Sequence, residues 1–238
     1  MKKILSIFAV ELRLGFRSAD MLLFGLAFPV AVMLLLGAVS GPEAAPLAFG
    51  GVVAVGICAT GLMGLPLTLA DYRHRRVLKR FQASPASPGA LLAAQALTQL
   101  CVALASSGLV WLVARLAYGV RVAGGLGRFA AAYAATLAAI YALGLLVAAL
   151  ARSMKAANAA ASLLYFPMFF LSGTTVPAEI MPPALRAATG ILPLSHGVEL
   201  LKAAVTGAPA AGQAWRYALL LGIAAVGYTV AALRFRWD

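Results

Sequence analysis

Acidic side chains are nearly missing from this chain: seven Asp and Glu stand against nineteen Lys and Arg among 238 residues. All seven fall at or beyond the ends of its apolar stretches, so no carboxylate sits where a proton-coupled carrier keeps one. Cysteine is limited to Cys58 and Cys101, both within apolar stretches, which argues against a disulfide framework and excludes a metal cluster by spacing. Histidine is limited to His74 and His196. No H-E-x-x-H occurs and no nucleophile stands beside a base, so no catalytic residue and no metal ligand is assigned. Gly-Lys does not occur as a pair, so there is no phosphate loop and no recognisable way for this chain to hold ATP. Internal repeats and dividing linkers are absent as well, and residues 1–238 read as a single membrane domain.

What fills the chain instead is hydrocarbon. Hydrophobic residues make up 63% and charged ones 11%, with a mean hydropathy of +0.95, which marks an all-α integral membrane protein. Stretches able to cross about 30 Å at 1.5 Å per residue fall at 20–40, 47–70, 89–115, 128–150, 156–175 and 215–233, predicting six transmembrane helices. The first begins after Arg17 and has no cleavage site, which disfavours a signal peptide. Pro29, Pro66 and Pro167 fall inside spans and predict kinks. Ala130, Ala134, Ala138 and Ala142 repeat every four residues, a spacing that allows close helix approach.

Thirteen of the nineteen Lys and Arg fall in the N-terminus, the second and fourth loops and the C-terminus; the other six are spread over the longer connections opposite. Both termini are therefore expected in the cytoplasm, in a bacterial plasma (inner) membrane. The net charge of +12 is then a matter of topology and anionic lipid, and nucleic acid is not a partner.

Residues 2–17 predict an amphipathic interfacial helix. Lys2, Lys3, Ser6, Arg13 and Arg17 share one sector, and Leu5, Phe8, Leu12 and Phe16 gather across from it. Glu11 breaks the pattern. It either reaches water or contacts a cytoplasmic subunit or the basic second loop.

The most charged segment is Asp71-Tyr72-Arg73-His74-Arg75-Arg76-Val77-Leu78-Lys79-Arg80-Phe81, with five Lys and Arg. At roughly 2.5 to 3.5 kcal/mol each in the bilayer centre, they keep it outside lipid. Tyr72, Val77 with Leu78, and Phe81 recur at about helical spacing, so a short amphipathic helix over 71–83 is expected to press on a partner. At the other side of the membrane, 174–214 carries Pro177, Pro182, Pro183, Pro193 and Pro209 and cannot be one straight crossing. Yet Leu194, Val198, Leu201 and Val205 follow a helical course, with Glu199 and Lys202 on another face. Two short helices dipping into the outer leaflet, a re-entrant hairpin before the last span, account for both features.

The run Tyr72 to Pro85 resembles the basic segment, commonly Y-R-E-x-G-V-L-K-R-L-x-A-T-P, that follows the second helix in permease subunits of type-2 ATP-binding-cassette exporters. Leu171-Ser172-Gly173-Thr174-Thr175-Val176-Pro177, Met181-Pro182, Leu192-Pro193-Leu194-Ser195-His196 and Gly207 are similar to that family's fifth-helix end and outer hairpin, closest to its drug-efflux branch. His74 stands where an acid is usual and Arg76 where glycine is usual.

The resemblance implies two six-helix subunits, identical or different, above two copies of a separate ATPase subunit that binds the ATP and Mg; this chain binds no cofactor. It makes 71–83 a cytoplasmic coupling helix, with Asp71, Tyr72, Arg73, Arg75, Arg76, Leu78, Lys79, Arg80 and Phe81 at the ATPase interface and Glu11, Arg13 and Arg17 bracing it. It places a substrate route between the second and fifth helices, where Met63, Tyr165, Phe166, Met168, Phe169 and Phe170 offer a soft aromatic surface suited to drug-like or lipid-like amphiphiles. In the outer region it points to Pro177, Pro182, Pro193, His196 and Glu199. The alternatives are a permease for polysaccharide or lipid-linked glycan, and, outside the family, an ATP-independent channel or carrier or a scaffold.

Overall fold

The computed structural model describes residues 2–15, 21–75, 88–174, 182–209 and 211–234. Among these there is helix and turn but no strand. The helices are α1 (Lys2–Gly15), α2 (Phe28–Cys58), α3 (Leu65–His74), α4 (Pro88–Tyr118), α5 (Leu126–Leu150), α6 (Met154–Leu171), α7 (Pro183–Thr189), α8 (Pro193–Thr206) and α9 (Gln213–Arg234). Two wider π-helical segments, Met21–Ala27 and Ala59–Gly64, lead into α2 and α3. Each is followed at once by proline, Pro29 or Pro66, in the first turn of the α-helix. The predicted kinks at these two prolines are therefore π segments: proline has no N–H to give back, and the wider turn relieves its clash with the carbonyl behind it. Pro167 lies within α6.

Four helical stretches are long and apolar enough to cross a membrane among the described residues: Gly25–His74, Leu91–Tyr118, Leu126–Leu150 and Gln213–Arg234. The first, with 50 residues, would be about 75 Å long if straight. It is not straight. Gly41 has φ 78° and ψ 171°, a conformation closed to residues with a side chain, and the helix doubles back there. Pro29 consequently sits beside Gly56, its ring 4.0 Å from where a Cβ on Gly56 would be. The two arms thus form an antiparallel hairpin, with Pro42 and Pro46 just past the turn. α6 has 18 residues and is less apolar, with Lys155 and Asn158 in its first turns.

The second arm of the hairpin is the centre of the molecule. Every residue from Phe49 to Leu62 is buried, enclosed by α4, α5, α6 and α8. Phe49 stacks on Phe129 of α5 at 5.8 Å. In the π segment, Thr60 Oγ1 lies 3.2 Å from the Gly56 carbonyl and 3.1 Å from that of Ile57, and the Tyr141 hydroxyl donates to it at 3.1 Å. α9 packs on α5 through Leu220, Ala224, Gly227 and Ala231, leaving Leu221, Val226 and Leu233 outward. Of the alanine repeat, Ala130 and Ala134 are exposed, Ala138 is half-buried and Ala142 is buried, 2.9 Å from where a Cβ on Gly227 would be. Cys58 and Cys101 are free thiols.

The 174–214 region contains the two expected short helices, α7 and α8. Leu194, Val198, Leu201 and Val205 are all buried, Glu199 is exposed and Lys202 half-buried. α8 ends at Gly207 in the left-handed conformation. α1 lies against α4, with Arg13, Val10 and Leu14 turned away from the protein. A helix unbroken over 71–83 is not found: α3 stops at His74, and Arg75, at φ −78° and ψ 4°, turns out of it. Residues 76–87 lie outside the described residues.

Candidate functional site

At one end of the bundle, which we call basal, the last turn of α3 is held from two sides. Consecutive residues project about 100° apart on a helix, so Tyr72 and Arg73 reach different neighbours. The Tyr72 hydroxyl donates to the Glu11 carboxylate of α1. Arg73 Nη1 donates to the carbonyls of Ala148 at 3.2 Å and Ala151 at 2.8 Å, the end of α5. A helix leaves its last four carbonyls without intrahelical donors, and a cation there is doubly favoured by the orphan oxygens and the helix dipole. Three residues on from Ala148, the turn passes into α6, whose N-cap Ser153 accepts from the Ala156 N–H at 3.1 Å. Asp71 and Arg75 form an exposed pair one turn apart, Nε to Oδ2 at 2.8 Å, which orients a surface and adds little stability.

Glu11 is 9% exposed, which overturns its water-reaching reading and brings it to the second-loop side, against a tyrosine rather than one of the basic residues. Burial raises its pKa above the ordinary 4.5, and the Tyr72 hydrogen bond pulls the other way without cancelling it. A raised carboxyl pKa means the folded state binds the proton more tightly. Its stabilising contribution is then full below about pH 4.5 and is lost as pH rises through the folded value. Glu11→Gln, which keeps an acceptor for Tyr72, is therefore expected to melt higher than the parent at pH 7.5. The gap should close toward pH 4.5, and thermal melts of both proteins at the two pH values check it.

Of the other basal residues assigned from sequence, Arg13 is exposed. Arg17, Arg76, Leu78, Lys79, Arg80 and Phe81 lie outside the described residues. The aromatic set of the second and fifth spans divides in two. Tyr165, Met168 and Phe169 are buried and Met63 half-buried; Tyr165 stacks on Phe169 at 5.9 Å, and Phe169 meets Phe28 at 5.9 Å. Only Phe166 and Phe170, one turn apart, are exposed, at 51% and 49%. The expected continuous aromatic surface is thus a buried stack with two outward rings.

At the far end, His196 is buried. Its Nε2 lies 3.0 Å from the Gly190 carbonyl, and Arg216 Nη1 donates to its Nδ1 across 3.2 Å. This fits the Nε2–H tautomer, which fastens the start of α8 to α9. Lys202 Nζ donates to the Gly173 carbonyl at 2.6 Å. Pro182 and Glu199 are exposed and Pro193 half-buried; Pro177 lies outside the described residues. The sequence reading missed the buried polar side of α4, where Gln95, Thr98, Gln99 and Ser106 turn inward. Their positions at i, i+3, i+4 and i+11, one face of a helix, are the available signal.

Comparison with known proteins places this architecture. Over residues 2–205 the chain matches the family model described as ABC-2 type transporter. It is 28% identical over 200 residues to the inner membrane transport permease YhhJ of Escherichia coli (strain K12), covering 82% of this chain and 53% of that protein. It is 40% identical over 67 residues to nodulation protein J of Neorhizobium galegae, covering 28% of this chain and 26% of the relative. The chain thus spans about half the length of the transport permease it matches. A family match over most of the chain, apolar helices able to span and a tyrosine-arginine turn ending one of them lead to one assignment: the chain is a multi-pass membrane protein and belongs to the ABC-2 type transporter family.

Proposed function

We propose that this chain is the membrane-spanning permease subunit of an ATP-driven exporter, working with a separate ATP-binding-cassette ATPase in a complex of two permeases and two ATPases. The observation that carries this reading is the basal turn: the densest cluster of Lys and Arg in the sequence, Arg73 to Arg80, begins within residues 71–75, which are fastened to both α1 and α5. A cationic segment leaving a firmly held helix end is suited to receive force from a partner. With Arg76 adding a charge and no acid at position 74, the complementary ATPase groove is acidic.

In this reading the two hairpin arms, α4, α5, α6 and α9 are the six spans of a single membrane domain. The basal end with both termini faces the cytoplasm of a bacterial inner membrane, as the thirteen-to-six distribution of Lys and Arg favours. α1 lies in the interface, where Val10 and Leu14 meet lipid. α7 and α8 form the hairpin dipping from the outer side. No part of this chain binds ATP or Mg, which belong to the ATPase. The substrate is an amphipathic drug-like or lipid-like molecule that meets Phe166 and Phe170, since exposed rings one turn apart present a soft apolar face to such a molecule.

The test is co-expression with the neighbouring ATPase gene product, purification through a tag on the permease, and ATPase assay in lipid nanodiscs against a panel of amphiphiles and lipid-linked glycans. Co-elution and hydrolysis stimulated several-fold by an amphiphile, with that stimulation lost in Phe166→Ala/Phe170→Ala, are the expected results. Absence of any co-eluting ATPase overturns the exporter reading. Stimulation by glycans alone overturns the substrate class.

A further inference from the structure

The contacts of Arg73 go beyond holding a helix end. We infer that Arg73 is a positioning residue that makes the basal end of the second span and the start of the α6 span move as one body; this rests on the ATP-driven reading above. Its guanidinium is half-buried, and a charge drawn out of water is retained at a cost unless its partners repay it. Its partners include two carbonyls from different parts of a corner. Ala148 belongs to the last turn of α5 and Ala151 to the turn that follows it.

That corner is short and fixed at both ends. The Ala151 N–H closes on the Val147 carbonyl at 2.9 Å, and the Ala157 N–H on the Ser153 carbonyl at 2.9 Å. α3 also packs directly along α6. A displacement of residues 71–75 is therefore carried by hydrogen bonds into residues 148–151 and onward into α6. Along α6 the exposed rings of Phe166 and Phe170 stand twelve to sixteen residues from its start, about 18–24 Å up the helix. Rigid helices transmit such a shift over that distance. On the opposite side, the hydroxyl of Tyr72 fastens the same turn to α1, so the turn moves as a unit.

Lysine cannot reproduce this. A guanidinium offers a fixed planar fork, whereas an ammonium is a strongly hydrated point charge. Glutamine at 73 has a shorter side chain and no charge to favour the end of α5.

The experiment places a bimane label at His74→Cys or at Phe170→Cys, both exposed positions, after replacing Cys58 and Cys101 by alanine. Each labelled permease is assembled with its ATPase in nanodiscs, and the fluorescence change on trapping with ATP and vanadate is measured. In the parent both labels respond. In Arg73→Gln the label at 74 keeps its response and the label at 170 loses it several-fold, while Arg73→Lys falls between. An undiminished response at 170 in Arg73→Gln overturns the assignment. So does a lower melting temperature with both responses intact, which is what a purely structural helix cap would give. A parent whose label at 74 ignores ATP overturns the exporter reading itself, and this assignment with it. Should Arg73→Gln fail to assemble, Arg73→Lys carries the same comparison.

Discussion

Gly144→Ala is expected to cost this chain about 3 kcal/mol, the upper end of what an inserted methyl costs a packed interior, and to cut the yield of folded protein in the membrane. The reason begins at Pro66. In the π segment the Leu65 N–H bonds the Thr60 carbonyl, five residues back. The same register turns the Gly61 carbonyl toward residue 66, a proline with no N–H. α5 fills the gap by coming close at Gly144, where a Cβ would collide with the Gly61 oxygen. With no side chain there, the Gly144 Cα–H lies against an acceptor that needs company in a hydrocarbon surround. An alanine methyl would meet backbone, which cannot swing aside as a flexible side chain does. Tyr141, three residues before, bonds Thr60 in the same segment, so any retreat of α5 also breaks that contact. Gly108→Ala is the matched control: nothing lies within 4 Å of its Cβ, and it faces outward. Fluorescence size-exclusion melting of the two variants should separate them by several degrees. Equal melting curves would refute the argument.

The Gly144 contact also shows what a sequence of this kind discloses. Apolar length marked where helices run to within a few residues, because the bilayer's hydrocarbon core, about 30 Å thick, sets a threshold that composition alone can meet. α8 was equally legible, since Leu194, Val198, Leu201 and Val205 trace one face that a proline starts and a glycine ends. The π segments were not. Pro66 predicts a kink, but whether the helix answers with a bend or a wider turn depends on what packs against the freed carbonyl, and that neighbour is 83 residues away at Gly144. The alanine repeat is ambiguous for the opposite reason: small residues permit close approach without requiring it, and of its four positions Ala130 and Ala134 turn outward while Ala142 meets Gly227.

For the candidate site, residue types were informative and pairings were not. Glu11 stood out as a carboxylate on the wrong side of its helix wheel. Its partner could not be read, because Tyr72 is 61 residues distant and a tyrosine on a basic segment looks like one more apolar position. Arg73 was one of five cations in the run. Only the arrival of the α5 end beside it distinguishes it from its neighbours. The aromatic set on α6 reads as one surface since five of the six residues 165–170 are large and soft; helical geometry then sorts them, with 165, 168 and 169 inward and 166 and 170 outward.

Replacing Leu78 and Phe81 together by glutamate should release the ATPase while leaving the permease inserted. The two positions are three apart, so on a helical course they share a face, and the cations Arg76, Lys79 and Arg80 stand among them. An apolar side chain seated in a partner's groove contributes about 1.5–3 kcal/mol, so losing both removes about 3–6 kcal/mol. At 1.4 kcal/mol per decade this weakens association by about 10²- to 10⁴-fold. Against the acidic groove proposed for the partner, two carboxylates add repulsion to that loss. Insertion is governed by the spans, which the double variant does not touch, so its membrane yield should match the parent. Arg76→Gln/Arg80→Gln makes the contrast: it should slow association and flatten its salt dependence while leaving most of the complex intact, because exposed charges steer encounters and buried apolar anchors hold them. Pull-down of the ATPase across a salt series distinguishes the two. Full ATPase recovery by the Leu78→Glu/Phe81→Glu variant, with transport unchanged, would show that the segment after residue 75 meets lipid headgroups instead, and the tethered turn at Tyr72 and Arg73 would then be a brace for the bundle alone.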